Sequence, residues 1–138
     1  MKGSVYLDAC IVIDLVEGRP DQQDHLSSAL EGRHLVSSEL VRLESRIGAL
    51  RKQQSGYLET YRRFFERCVT VPMGGAVFDL ATELRVRHGI KTPDALHLAV
   101  ALHAACEELW TNDRRLASAA EGRIRILTWD GLAPDPVA

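Results

Sequence analysis

Five short apolar segments, SVYL (4–7), HLVS (34–37), CVTV (68–71), ELWT (108–111) and RIRILT (123–128), alternate with longer stretches of helical periodicity. That alternation constrains the fold more than any other feature, because each short segment has strand length and strand residues, while the stretches between them repeat apolar residues every three or four positions. Ile11 to Val16 reads as a helix continuing into a second near Gln22 to Leu30. In SELVRLESRIGAL (38–50), Leu40, Leu43, Ile47 and Leu50 share one stripe, which is expected to be the buried face. Tyr57, Tyr61, Phe64 and Phe65 stripe the next helix, as core or dimer contact rather than as a platform for bases, and Val77, Leu80, Ala81 and Leu84 stripe the one expected to close at Gly89. In KTPDALHLAVAL (91–102), Thr92 is the expected N-cap and Pro93 the first helical residue. The pattern predicts an α/β three-layer sandwich, a mainly parallel five-stranded sheet flanked by helices.

A chain of 138 residues is the size of one domain, and no linker-like stretch divides it. One domain over 1–138 is expected, with about 130–138 (ending GLAPDPVA) as a loose tail. Cys10, Cys68 and Cys106 are scattered without a zinc-type spacing, which fits a reducing compartment. No run is long and apolar enough for a signal core or a membrane span, so a cytoplasmic protein is expected. A net charge of −2 gives no global attraction to nucleic acid. A local basic surface is available instead, since Arg42, Arg46, Arg51, Lys52, Arg62, Arg63 and Arg67 fall within one stretch, and it is balanced against a merely solvated face.

In an open parallel sheet, ligands bind at the carboxyl ends of the strands, and this sorts the acids. Asp8 follows SVYL directly, Asp113 follows ELWT by one residue, and Asp94 opens the helix before that strand. Glu44 lies beyond the first turn of its helix, on the flank of the apolar stripe, whereas Glu39 beside Ser38 is explained by helix capping. Singly, each acid has an ordinary role: Asp8 in a turn, Asp94 against the helix dipole, Asp113 as the cap of a helix running to Ala120, Glu44 on a surface flank. Jointly they demand more. Two carboxylates ~4 Å apart repel by about 4 kcal/mol at an effective dielectric of ~20, so a cluster calls for protonation or a divalent cation. An all-oxygen donor set points to Mg2+ or Mn2+, and such a cation supports in-line hydrolysis of a phosphodiester.

The ordered set YLDACIVIDLVEG, SSELVRLE, TPDALHLAVAL and WTNDRRL resembles the PIN-domain ribonucleases of the VapC toxin type, from Tyr6 to about Trp129. The resemblance implies a PIN fold and Mg2+- or Mn2+-dependent endonucleolytic cleavage of RNA. It also implies the role of toxin in a toxin–antitoxin pair, inhibition by a VapB-like antitoxin, and a homodimer. Carried over by position, the catalytic and metal-binding acids are Asp8, Glu44, Asp94 and Asp113, with Thr111 as the hydroxyl of the T-x-D motif and Asn112 beside it. Cys10 departs from the Asn or Ser that the family commonly has there, and it is a poorer hydrogen-bond partner. His97, one turn after Asp94, is either a packed histidine or a support for that carboxylate. Two other readings compete. A response-regulator receiver would need an acid after the third strand and a Lys after the fifth, where this chain has VPMGG and TWDG. A catalytically inactive PIN fold acting as an RNA- or protein-binding module would not need the four acids.

Overall fold

The computed structural model describes residues 3–128. Its elements follow in the order β1 (Ser4–Leu7), α1 (Ala9–Glu17), α2 (Pro20–Leu30), β2 (His34–Ser37), α3 (Glu39–Arg51), α4 (Ser55–Glu66), β3 (Val69–Thr70), α5 (Gly75–His88), α6 (Thr92–His103), β4 (Glu108–Trp110), α7 (Arg115–Ala120) and β5 (Arg125–Leu127). The five strands form one parallel sheet in the order β3-β2-β1-β4-β5. The expected α/β sandwich is therefore observed. Trp129 and the tail expected at about 130–138 lie outside the described residues.

The sheet order has a consequence for function. From β1 the chain steps outward through β2 to β3, then returns past β1 to place β4 and β5 on its other side. Right-handed crossovers in opposite directions put the two helical groups on opposite faces. Accordingly α1 packs with α2, α3 and α4, while α5, α6 and α7 pack with one another. The reversal beside β1 makes the carboxyl ends of β1 and β4 the switch point of the sheet, the place where such folds bind ligands.

Burial follows from these positions. β1 and β4, the inner strands about the switch point, are buried along their length, whereas β3 is exposed and β5 only partly covered. Both inner strands are apolar after a polar first residue, and Glu108, buried at the start of β4, is paired with Arg33. Helix α6 is buried from Ala95 through Ala101, including His97, so it is a core helix rather than an amphipathic cover. Tyr61, Phe64 and Phe65 of α4 also join the core. Gly89 closes α5 in the left-handed conformation, φ 65°, with its N–H donating to the Arg85 carbonyl.

Two expectations are corrected here. The N-cap of α6 is Lys91, one residue earlier than Thr92, because the Thr92 hydroxyl instead accepts from Arg85 Nη1 at 3.0 Å. The stripe of α3 is not its buried face. Leu43 is 57% exposed, Ile47 40% and Leu50 65%, and the side of α3 that is buried carries Val41, Ser45 and Ala49. Small residues there let α1 and α4 approach closely, and the larger apolar residues are left facing outward.

Candidate metal centre at the switch point

Asp8 is the first residue past β1 and the N-cap of α1, and both carboxylate oxygens are engaged. Oδ1 accepts from Ala9 N–H at 2.6 Å, and Oδ2 accepts from the Thr111 hydroxyl at 2.7 Å. The register that sets Leu7 opposite Trp110 brings Asp8 beside Thr111, and the Asp8 N–H donates to the Trp110 carbonyl at 2.9 Å. Thr111 is fully buried and has a second task, since its Oγ1 accepts from Asp113 N–H at 3.1 Å. One hydroxyl thus fixes Asp8 and the backbone of Asp113 together.

Asp113 in turn accepts from the Arg115 backbone N–H at 2.9 Å, but the N-cap of α7 is Arg114, one residue later than the Asp113 expected, so Asp113 stands just before the helix. The guanidinium of the same Arg115 grips both oxygens, Nε to Oδ1 at 3.1 Å and Nη2 to Oδ2 at 3.0 Å. Those hydrogen bonds hold the Asp113 carboxyl below its usual range. Asp94, in the first turn of α6, has the opposite fate. Burial first, and then the charges of Asp113 and Asp8, push its carboxyl above the usual range.

Glu44 reaches the same place from α3. Its Oε1 lies 2.5 Å from His97 Nε2, and that nitrogen is 3.5 Å from Asp8 Oδ1. Ligand atoms of Asp8, Glu44 and His97 all lie within 4.8 Å of one another. Asp8, Glu44 and His97 therefore converge, and Asp94 lies near enough to Asp113 and Asp8 to feel their charges. Glu39, by contrast, gives its carboxylate to Arg42 in an exposed ion pair.

His97 is both packed and paired, but its partner is Glu44 rather than Asp94. Cys10 lies beside Asp8 with its thiol pushed up to about 12, by burial and then by the Asp8 charge, against hydrogen bonds from the backbone of Asn112 and Ile11. It is a neutral thiol and offers the centre no thiolate. Asn112 is exposed, so what it brings to this corner is its backbone.

Sequence reasoning missed three contributors. Tyr6 and Ser38 hydrogen-bond to each other at 2.8 Å behind Glu44 and His97, and Arg115 grips Asp113. Only Arg115 left a local signal, two residues after an acid at a helix start.

The basic stretch is less free than its sequence implies. Arg42 pairs with Glu39, Arg62 with Glu59 and Glu66, and Arg63 with Glu59. Arg42, Arg46 and Arg62 nonetheless line a groove of about 630 Å³ between α3 and α4, with Leu50, Leu58 and Phe65.

The family described as PIN domain matches residues 5–122. The fold is similar to VapBC2 from Rickettsia felis, solved bound to a DNA fragment from their promoter (16% identity, TM-score 0.74, covering 92% of this chain and 99% of that one). A toxin–antitoxin complex from Klebsiella pneumoniae is also similar (23% identity, TM-score 0.70, 90% and 96% covered). So is VapBC-5 from Mycobacterium tuberculosis, a member of the VapBC family of toxin–antitoxin systems (18% identity, TM-score 0.62, 91% and 98% covered). No curated protein matches the chain.

Proposed function

Because the chain belongs to the PIN-domain family, we propose that it is a single-domain, Mg2+- or Mn2+-dependent endoribonuclease and the toxin of a toxin–antitoxin pair. The observation that carries the reading is electrostatic. Asp8 and Glu44 converge with His97 at the switch point, and Asp94 is held above its usual range by burial and by like charge from Asp113 and Asp8. Negative charge in excess of the protein's own cations is what a hard divalent ion relieves, and oxygen donors suit Mg2+ or Mn2+. No helix among the described residues is long and apolar enough to cross a membrane.

Asp8, Glu44, Asp94 and Asp113 would hold the ion. When bound, it supplies Lewis acidity toward a phosphate oxygen and an activated water. The protein's own groups do the rest. Thr111 fixes Asp8 and the turn to Asp113, His97 sets the carboxylate of Glu44, and Arg115, held on Asp113, is a cation beside the centre whose guanidinium could meet a substrate phosphate. The toxin–antitoxin complexes among the similar folds support a cognate antitoxin as partner, and we read RNA as substrate and a homodimer as the assembly from the family.

The test is direct. Purified protein with RNA should yield internal cuts with Mg2+ or Mn2+ and none after chelation, and sequencing of RNA ends after induction should map the cuts. Cleavage indifferent to chelation would end the metal-dependent reading. Binding of RNA or antitoxin with no cleavage under any divalent ion would favour the inactive binding module.

A pair of glutamates on α3 separates site from scaffold. Glu44→Gln is expected to lower cleavage by about 100-fold or more, a loss of roughly 3 kcal/mol in transition-state stabilisation. Glu39→Gln should leave the rate unchanged and cost about 0.3–1 kcal/mol at the helix start. Rates from both variants, with thermal melts, would decide; the reverse order would mean that α3 presents its other face to the reaction.

A further inference from the structure

We propose that Tyr6 and His97 are positioning residues that set Glu44 through a one-way chain of hydrogen bonds beginning and ending on α3. The proposal rests on the reading of Glu44 as a metal ligand. Ser38, the N-cap of α3, accepts from Val41 N–H through Oγ at 3.3 Å. Its Oγ is 2.8 Å from Tyr6 Oη, Tyr6 Oη is 2.8 Å from His97 Nδ1, and His97 Nε2 is 2.5 Å from Glu44 Oε1. Tyr6, Ser38 and His97 are all buried, so water does not stand in for any of these partners.

The direction of the chain follows from its end. A carboxylate only accepts, so the proton in the short contact with Glu44 belongs to His97 Nε2. His97 Nδ1 then accepts from the Tyr6 hydroxyl, because the Ser38 proton needs the phenol oxygen as its acceptor. The phenol oxygen then accepts from Ser38 O–H, and Ser38 Oγ accepts from the Val41 amide. Every donor is used. Run the other way, with Nδ1–H donating to Tyr6 and Tyr6 donating to Ser38, the chain leaves the Ser38 proton with no acceptor among the residue's described contacts, and a buried orphan donor is costly.

Two consequences follow. His97 lies close enough to Asp8 and Glu44 to look like a third metal ligand, yet a protonated Nε2 has no lone pair to offer. It instead takes Oε1 of Glu44 and leaves Oε2 outside that bond. The anchors of the chain lie on β1 and α6, so the first turns of α3 are tied to the strand and the helix that present Asp8 and Asp94. Orientation of a ligand from behind is worth about 10- to 100-fold in metal affinity.

The test uses the full chain with 15N-labelled histidine. In the metal-free wild type at neutral pH, His97 should show a protonated Nε2 and a bare Nδ1, and Tyr6→Phe should move the Nδ1 resonance as its donor disappears. Mn2+ titration followed by electron paramagnetic resonance should then give about 10- to 100-fold weaker binding for Tyr6→Phe and for His97→Leu. His97→Gln, which can still donate to Glu44, should recover most of the affinity. A merely structural role would weaken folding without this order among the variants. A protonated Nδ1 in the wild type, as the other tautomer or as imidazolium, would overturn the proposal, and so would wild-type Mn2+ affinity in a folded Tyr6→Phe. If the wild type bound no Mn2+, the reading of the metal centre itself would fall, a result distinct from either of these.

Discussion

Asp94→Asn is expected to abolish the proposed cleavage and, in metal-free buffer, to yield a protein more stable than the wild type. The first half follows from losing a ligand charge; a fall of about 100-fold or more corresponds to roughly 3 kcal/mol. The second half follows from the sign of the pKa shift. Burial and the neighbouring Asp113 and Asp8 raise the Asp94 carboxyl in the folded state. A raised folded value means that the favourable contribution of this group is fully present below the unfolded pKa and is lost as pH rises through the folded one. Wild type therefore carries the penalty at neutral pH, and the neutral amide does not. Because Asp94 is only half-buried, solvent screening limits the gain to about 0.2–1 kcal/mol. Adding Mg2+ or Mn2+ should reverse the order, since at ~100 times its Kd an ion stabilises the wild type by about 2.7 kcal/mol, a shift on the order of 10 °C. Thermal melts of both proteins across pH, with and without metal, would show this crossing. Equal melting temperatures under all four conditions would remove Asp94 from the ion's site.

The same substitution is not equivalent at the other acids. Asp8→Asn keeps one acceptor where the wild type uses two, so it can retain the cap to Ala9 N–H or the bond from Thr111 but not both, and Asp113→Asn loses the fork of Arg115. For Asp113 the sign is opposite to that of Asp94: its carboxyl is depressed, so its contribution is present above the unfolded pKa and lost as pH falls through the folded one. Repulsion is concentrated on Asp94 because Asp8 and Asp113 each already have donors. Relief in the metal-free state is therefore expected there and not across the cluster.

Which features were legible in the sequence has a physical reason. SVYL and HLVS coincide with β1 and β2, and SVYL is apolar after Ser4 because β1 is central. CVTV and RIRILT shorten to Val69–Thr70 and Arg125–Leu127 because edge strands pair on one side only and their ends have no partner. Asp8, Asp94 and Asp113 were legible as candidates because strand ends and a helix start are local features, and Glu44 because it flanks an apolar stripe. The chain of Ser38, Tyr6, His97 and Glu44 was not, since its links join residues 32, 91 and 53 positions apart and no local pattern encodes them. Periodicity on α3 likewise showed an apolar face at Leu43, Ile47 and Leu50, but it carries no information on whether the same chain covers that face.

An antitoxin that plugs the acid cluster should compete with the divalent ion. The cluster is open enough to receive a cation, for Glu44 and Asp113 are 30% and 22% exposed. It also already holds a guanidinium, because Arg115 forks Asp113 through two bonds. With Asp113 taken from within the chain, an Arg or Lys brought by a partner's tail would be directed to Asp8, Glu44 and Asp94. A planar fork can bridge two carboxylates there and exclude the ion by occupying its ligands. Raising Mg2+ or Mn2+ in a binding titration is then expected to weaken the complex more than NaCl at equal ionic strength, because only the divalent ion shares the site while both salts screen. Asp94→Asn should flatten that difference by removing a ligand common to ion and inhibitor. Equal weakening by the two salts would leave screening as a sufficient cause, and inhibition would have to act by covering the path of the RNA elsewhere, for which the groove lined by Arg42, Arg46 and Arg62 is the surface to mutate first.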